Sequence, residues 1–150
     1  MIDQAIEPLL FDEDVNVSTL AKLIERVEEL NSPSVVKVVF DYKNFALYFS
    51  RSPIPFVRDA VNDKEMLEKA DIYKHIGLYV YRKEYLLKFT QLAPTDLEQW
   101  EKLEQLRMLE NGFKIKIVET EYDSFSVDTP EDLEKARKIY SKLKKIELAK

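Results

Sequence analysis

The pattern of apolar and polar positions predicts alternating helices and strands in the first third of the chain. From Ile2 to Leu10, apolar residues recur at helical spacing, which is typical of an amphipathic helix packed on a larger body. The apolar stretch 15–20 favours a short strand, and 23–30 favours a short helix that ends at Asn31-Ser32-Pro33. The β-branched run 35–40 predicts a strand, and the turn 41–44 leads back into 46–50 as a hairpin.

The remaining pattern adds further strands and helices. Segment 76–81 alternates strictly, so Ile76, Leu78 and Val80 share one face of a strand and the tyrosines share the other. Spaced apolar positions predict one helix over 97–110, followed by a strand over 114–121. Thr129 and Pro130 suit the start of a last helix. Strands that alternate with helices and also form hairpins indicate an α/β fold with a mixed sheet.

Composition narrows the class of protein. With 150 residues, 45% of them hydrophobic and 34% charged, the chain is expected to form one soluble globular domain. No apolar run approaches the ~20 residues that span a bilayer, so we expect no membrane partner. The net charge of −5 argues against a nucleic-acid-binding surface. The N-terminus lacks the basic and then apolar pattern of a signal peptide, so we expect a cytoplasmic protein. The sequence contains no cysteine, which excludes disulfides.

A stiff corner follows the predicted strand 46–50. Arg51 lies between two serines, just before Pro53 and Pro55, and each proline restricts both its own φ and the residue that precedes it. A guanidinium held at such a corner suits a carboxylate or phosphate, which it can bind with two parallel hydrogen bonds. Taken alone, such a segment is more often a surface turn that contains a structural ion pair.

Four sequence blocks carry a resemblance to a known family. FSRSPIP at 49–55 is followed by YKHIGLYVYR at 73–82, LEQLRMLENG at 103–112 and VDTPEDL at 127–133. In this order and spacing they resemble the C-terminal part of the 3-deoxy-manno-octulosonate (Kdo) cytidylyltransferases, also called CMP-Kdo synthetases. The resemblance runs over almost the whole chain, and four ordered blocks are far more specific than any one of them.

The resemblance implies a fold and a domain organisation. It implies a Rossmann-like nucleotidyltransferase, a mixed sheet with flanking helices, here lacking the N-terminal strands. Residues 1–150 would form the C-terminal portion of a single domain, with the N-terminal nucleotide-binding half absent. The chain has only Gly77 and Gly112, whereas a backbone loop that approaches a triphosphate closely needs several glycines. We therefore expect an exposed sheet edge, an uncovered apolar face and a tendency to associate.

The resemblance also implies a reaction. In the family, Kdo and CTP give CMP-Kdo and pyrophosphate for lipopolysaccharide biosynthesis, with Mg²⁺ as cofactor and a homodimer as the complete enzyme. Because the phosphate-binding loop is missing from this sequence, we expect the chain alone to be inactive. Two other classes stay open, namely a non-catalytic module that binds an acidic sugar and a dimerisation fragment.

The family assigns roles to seven residues of this chain. Arg51 and Arg58 would hold anionic groups. Asp128 would bind magnesium, although the same sequence block has Ser126 where the family usually has glycine. The residues expected to orient the sugar are His75, Tyr79, Glu104 and Gln105. Each has a simpler interpretation as a packed or solvated side chain, and helical periodicity alone places Gln105 in solvent.

Overall fold

The computed structural model describes residues 1–123 together with 130, 133–134, 136–138 and 140–141. Helices and strands alternate through the described part, as the sequence pattern predicts. The helices are α1 (Ile2–Phe11), α2 (Val27–Asn31), α3 (Asp63–Lys69), α4 (Lys83–Thr90), α5 (Asp96–Glu101) and α6 (Gln105–Glu110). The strands are β1 (Val17–Leu23), β2 (Lys37–Phe40), β3 (Ala46–Ser50), β4 (Tyr73–Tyr81) and β5 (Lys116–Glu119).

The five strands form one mixed sheet in the order β3-β2-β4-β1-β5. β1 pairs antiparallel with β4 along its full length and parallel with β5 on its other side. β2 forms the predicted hairpin with β3, but it reaches β4 only through the pairs Lys37 with Lys74 and Val38 with Tyr73. The expectation of a mixed α/β sheet is therefore confirmed.

A bulge in β4 shapes the centre of the sheet. Thr19 pairs with Tyr79 whereas the next residue of β1, Leu20, pairs with Ile76, so β4 carries extra residues at this point. The Thr19 hydroxyl lies 3.2 Å from the Ile76 carbonyl and 2.9 Å from the Leu78 carbonyl. A threonine hydroxyl thus interacts with the backbone oxygens that the bulge turns toward β1.

The core lies on both faces of the sheet. On one face, α1 packs against β1 and β4, and Ala5, Leu20 and Ile76 are buried together. On the other face, β2 and β3 join α6 and β5 in a larger cluster centred on Phe49 and Leu106. Leu78 and Val80 pack with the first cluster and Tyr79 and Tyr81 with the second, which confirms the predicted alternation of β4.

Several predicted boundaries differ from the structure. The predicted strand 15–20 is confirmed as a strand but runs Val17–Leu23, and the helix predicted over 23–30 begins only at Val27. Apolar periodicity did not predict α3 and α4, because neither helix buries a residue fully. No helix in the described part of the chain is both long and apolar enough to cross a membrane.

The single helix predicted over 97–110 is wrong, because the chain breaks between α5 and α6. Lys102 has a φ of +55°, the left-handed conformation that commonly ends a helix. The backbone N–H of Leu103 still reaches the Glu98 carbonyl, at 3.3 Å, which closes the last turn of α5. α6 then starts at Gln105 with a new orientation of its side chains.

Candidate functional site

A row of aromatic rings crosses the face of β4 opposite α1. The ring centroids of Phe49 and His75 are 5.0 Å apart, those of His75 and Tyr79 are 5.3 Å apart, and those of Tyr79 and Tyr81 are 5.7 Å apart. Leu103 and Leu106, which flank the start of α6, belong to the core cluster that Tyr79 and Tyr81 contact. The β4 face and the start of α6 therefore form the walls of the candidate site.

His75 is held in one protonation state by its surroundings. Its Nε2 lies 2.9 Å from the Thr19 hydroxyl, which is itself within hydrogen-bonding distance of two backbone carbonyls. Because carbonyls only accept, we assign the Thr19 proton to one of them and the Nε2 proton of His75 to the bond with Thr19. Burial lowers the pKa of His75 to about 4, so the ring is neutral at pH 7 with Nδ1 left as an acceptor.

Tyr79 brings an unsatisfied hydroxyl to this site. Its oxygen is buried, and it makes no hydrogen bond with any described residue. Burial raises the pKa of Tyr79 well above its usual value, and electrostatic interactions with Tyr81 and Glu104 add to the increase. The nearby Thr19 hydroxyl opposes this shift, although it does not meet the geometry of a hydrogen bond to the Tyr79 oxygen. A buried hydroxyl without a partner is unusual and marks a point where a ligand can bind.

Gln105 is buried, so the expectation from helical periodicity that it faces solvent is wrong. It exposes only 8% of its surface, because the break at Lys102 resets the helical phase and turns the first residue of α6 inward. The preceding Glu104 is exposed, and its charge contributes to the raised pKa of Tyr81, which reaches about 12 chiefly through burial.

Arg51 makes close contacts with backbone. Its guanidinium nitrogens donate to the carbonyls of Glu101 at 2.6 Å, Pro33 at 2.7 Å and Lys102 at 3.2 Å. The Glu101 carboxylate in turn accepts from the Arg51 backbone N–H at 2.9 Å. The corner is therefore well ordered, as its prolines predict, and an additional role of Arg51 in binding an anion stays a prediction.

The predicted residues are brought together only in part. His75 and Tyr79 are in contact, and Glu104 and Gln105 stand at the start of the helix that faces them. Arg58 lies exposed in the loop between β3 and α3, and no hydrogen bond or ion pair between described residues links it to the other four. Asp128 lies outside the described residues. Within the described part, no three His, Asp or Glu side chains converge as a protein-only metal site requires.

Thr19 is the residue of this site that the sequence pattern did not identify. It bonds to His75, 56 positions further along the chain, and it interacts with the bulged carbonyls of β4. The available signal was a pair of hydroxyl residues, Ser18 and Thr19, between the apolar residues Val17 and Leu20. A buried hydroxyl in a strand requires a partner, but the sequence does not show which one.

Known proteins resemble this chain in sequence. A sequence profile described as cytidylyltransferase matches residues 1–117. The 3-deoxy-manno-octulosonate cytidylyltransferase of Geotalea uraniireducens is 54% identical over 149 residues, which is 97% of this chain and 58% of that protein. The enzyme of the same name from Thermodesulfovibrio yellowstonii is 53% identical, over 92% of this chain and 53% of that protein. The chain thus spans little more than half the length of the curated relatives it matches.

A solved structure resembles the chain in fold. It is CMP:2-keto-3-deoxy-manno-octonic acid synthetase complexed with CTP, with a TM-score of 0.84 and 38% identity over 94% of this chain and 55% of that one. The expected Rossmann-like nucleotidyltransferase fold is therefore confirmed. With a family profile over most of the chain and relatives that share a name and a fold, the chain belongs to the cytidylyltransferase family, among relatives named 3-deoxy-manno-octulosonate cytidylyltransferases.

Proposed function

We propose that this chain forms the sugar-binding part of a cytidylyltransferase that converts CTP and Kdo into CMP-Kdo and pyrophosphate for lipopolysaccharide biosynthesis. The observation that carries the proposal is the buried polar wall of the site. The Tyr79 hydroxyl is enclosed and makes no hydrogen bond with any described residue, its ring contacts that of His75, and Gln105 is buried at the start of α6. A sugar with many hydroxyls would satisfy all three groups.

Each group would have a distinct task in sugar binding. Neutral His75 would accept a hydrogen bond from a sugar hydroxyl at Nδ1, because Nε2 already donates to Thr19. The Gln105 amide can both donate and accept, and the exposed Glu104 carboxylate can accept. Arg51 or Arg58 would attract the Kdo carboxylate, and Arg58 has the more accessible guanidinium.

In the reaction, the anomeric oxygen of Kdo attacks the α-phosphorus of CTP. The bond from that phosphorus to the oxygen bridging to the β-phosphate breaks, pyrophosphate leaves, and the anomeric hydroxyl gives up its proton. The residues described above would orient the sugar oxygen for this attack. Such orientation contributes substantially to the rate of the reaction. Magnesium, with Asp128 as a proposed ligand, would neutralise phosphate charge. The complete enzyme would be a cytoplasmic homodimer.

Sugar binding by this chain can be measured directly. We expect Kdo to shift the NMR signals of the Gln105 side-chain amide and of the Tyr79 and His75 backbone, whereas glucose, which has no carboxylate, leaves them unchanged. Gln105→Leu removes the amide at nearly constant size, and loss of one or two hydrogen bonds weakens binding about tenfold or more.

The matched control is Gln91→Leu. Gln91 is exposed at the end of α4, so this variant should bind Kdo as the unmodified chain does. The proposed location of the sugar site on this face of β4 would be contradicted by equal Kdo affinity in the two variants. It would also be contradicted if only NMR signals elsewhere on the surface respond to Kdo.

A further inference from the structure

Thr19 is a fully buried threonine beside the candidate sugar site. It exposes 0% of its surface and lies in β1 midway between Val17 and Ala21, which both belong to the core cluster on the aromatic face of the sheet. Ala21 pairs with His75 of β4. Because alternate residues of a strand share one face, the Thr19 side chain lies on the same face as the His75 ring. Its hydroxyl therefore needs partners from the protein, since water does not reach it.

The Thr19 hydroxyl has three polar neighbours but only one proton to give. Its oxygen lies 2.9 Å from His75 Nε2, 3.2 Å from the Ile76 carbonyl and 2.9 Å from the Leu78 carbonyl. Two oxygen atoms this close need a proton between them, because their lone pairs otherwise repel. A Thr19 proton directed at Nε2 would leave both carbonyl contacts without one. A proton directed at a carbonyl leaves the Thr19 oxygen free to accept from the N–H of Nε2.

Aromatic packing orients the His75 ring without choosing its proton. The ring of Phe49 meets it edge-on, with an interplanar angle of 75°, and the ring of Tyr79 is tilted against it by 54°. Such contacts fix where the imidazole plane lies, but both neutral tautomers have the same shape. The choice between them depends on the hydrogen bond that one ring nitrogen makes. In this structure Nε2 makes that bond to Thr19.

We propose that Thr19 is a positioning residue that makes the site select a sugar hydroxyl able to donate to His75. The inference rests on the proposed function and adds a residue to it. With the proton held on Nε2, neutral His75 presents Nδ1 as an acceptor that cannot donate. A sugar position with an O–H group can bind there, whereas a position with only an acceptor atom would place two lone pairs against each other. Leaving a polar group of a site unpaired discriminates strongly between ligands.

The tautomer of His75 can be observed directly. His75 is the only histidine of the chain, so in the untagged protein its imidazole signals are identified at once in a long-range proton–nitrogen NMR correlation spectrum at pH 7. We expect the unmodified chain to carry the proton on Nε2. Thr19→Val keeps the size of the side chain but removes the hydroxyl, and it should populate the form with the proton on Nδ1. Thr19→Ser keeps the hydroxyl and should restore the Nε2 form.

Ser18→Ala is the matched control. Ser18 carries the other buried hydroxyl of β1 and donates to the Ala5 carbonyl on the opposite face of the sheet, so its loss should leave the tautomer of His75 unchanged. A proton on Nδ1 in the unmodified chain would overturn the proposal, and this measurement needs no variant to fold. The same tautomer in Thr19→Val as in the unmodified chain, or the same change in Ser18→Ala, would also overturn it.

Sugar analogues test the selectivity. Each hydroxyl of Kdo is replaced in turn by fluorine, which is close to a hydroxyl in size but has no proton to donate. We expect one analogue to bind the unmodified chain and Ser18→Ala about tenfold or more weaker than Kdo, and to lose much less affinity in Thr19→Val, where Nδ1 no longer requires a donor. Equal losses in all three proteins at every position would contradict the proposal. If Kdo itself fails to bind, the proposed function and this selectivity are both overturned, whereas a wrong tautomer overturns only the role of Thr19.

Discussion

At the residue scale, Arg51 joins three segments through backbone carbonyls. Its guanidinium contacts Pro33 before β2 and both Glu101 and Lys102 at the end of α5, so one side chain ties the corner after β3 to two other loops. A planar guanidinium carries its donors on three separate nitrogens, which here reach three carbonyls, whereas the three N–H donors of a lysine share one nitrogen. These contacts add a structural role to the anion-binding role expected from the sequence.

Arg51→Lys is therefore expected to lower stability. Loss of charge-assisted hydrogen bonds should reduce the free energy of unfolding by about 1.5–3 kcal/mol, measured by urea denaturation monitored by circular dichroism. In the reconstituted enzyme, the same variant should also raise the apparent KM for Kdo if Arg51 binds the substrate. Arg58→Lys is the matched control, since Arg58 is exposed, and it should unfold as the unmodified chain does. Equal stability of the two variants would contradict the structural role.

His75 makes stability depend on pH in a defined direction. Its folded pKa is about 4 because burial disfavours the charged ring, whereas the ordinary value is 6.5. Below pH 6.5 the unfolded chain gains a proton that the folded chain does not gain until about pH 4. Stability is therefore lost as pH falls through this window, by up to about 3 kcal/mol.

Urea denaturation at several pH values checks this expectation. The difference in unfolding free energy between the unmodified chain and His75→Gln should change between pH 7 and pH 4, because glutamine does not titrate. Since acidic residues respond equally in both proteins, the comparison isolates His75. Parallel pH profiles of the unmodified chain and the variant would show that folding does not lower the pKa of His75.

At the scale of elements, the break between α5 and α6 decides whether Glu104 and Gln105 face the core or the solvent. Lys102 holds a left-handed conformation in which a side chain is strained, and glycine is the residue that adopts it freely. The break brings Gln105 into the core and leaves Glu104 at the surface. Without it, a continuous helix would point Gln105 to solvent, as the periodicity predicts.

Lys102→Gly is expected to stabilise the chain. Relief of the strained φ outweighs the added freedom of glycine in the unfolded state and should raise the free energy of unfolding by about 0.5–1 kcal/mol. Lys102→Ala is the control, because it removes the same exposed side chain but keeps the Cβ. Thermal unfolding of both variants checks the expectation, and an equal or lower melting temperature for the glycine variant would contradict it.

At the scale of the whole molecule, the described structure leaves considerable apolar surface exposed. Leu10, Phe11, Phe56 and Trp100 are each more than two-thirds exposed. Together with the open edge of β4, this agrees with the expected uncovered face. β1 has a strand partner on each side, whereas the described residues pair the C-terminal part of β4 with β1 alone.

The chain alone is expected to release no pyrophosphate from CTP and Kdo, even with magnesium and at high protein concentration. Groups that stabilise charge on a transferring phosphate supply much of the rate, and the chain has only two glycines from which to form a phosphate-binding loop. Addition of the nucleotide-binding half of a relative should restore release, followed by a coupled pyrophosphate assay. Clear turnover by the homogeneous 150-residue chain would contradict this expectation.

The sequence by itself determined the features that local geometry controls. Periodicity identified α1 and the alternation of β4, because regularly spaced positions share one face of a helix or strand. The β-branched run and the turn that follows it identified the hairpin of β2 and β3. Short helices with no buried residue, α3 and α4, lack that signal and were missed. The four ordered blocks identified the family, since together they are specific even where each is weak.

Only the tertiary structure decided which distant groups meet. Thr19 and His75 are 56 positions apart, and Arg51 and Glu101 are 50 apart, so no local pattern links them. Gln105 became buried through a single backbone conformation at Lys102, a residue type that rarely adopts it. The free edge of β4 likewise depends on where β2 stops pairing. Such contacts arise from packing between distant segments, which sequence periodicity does not encode.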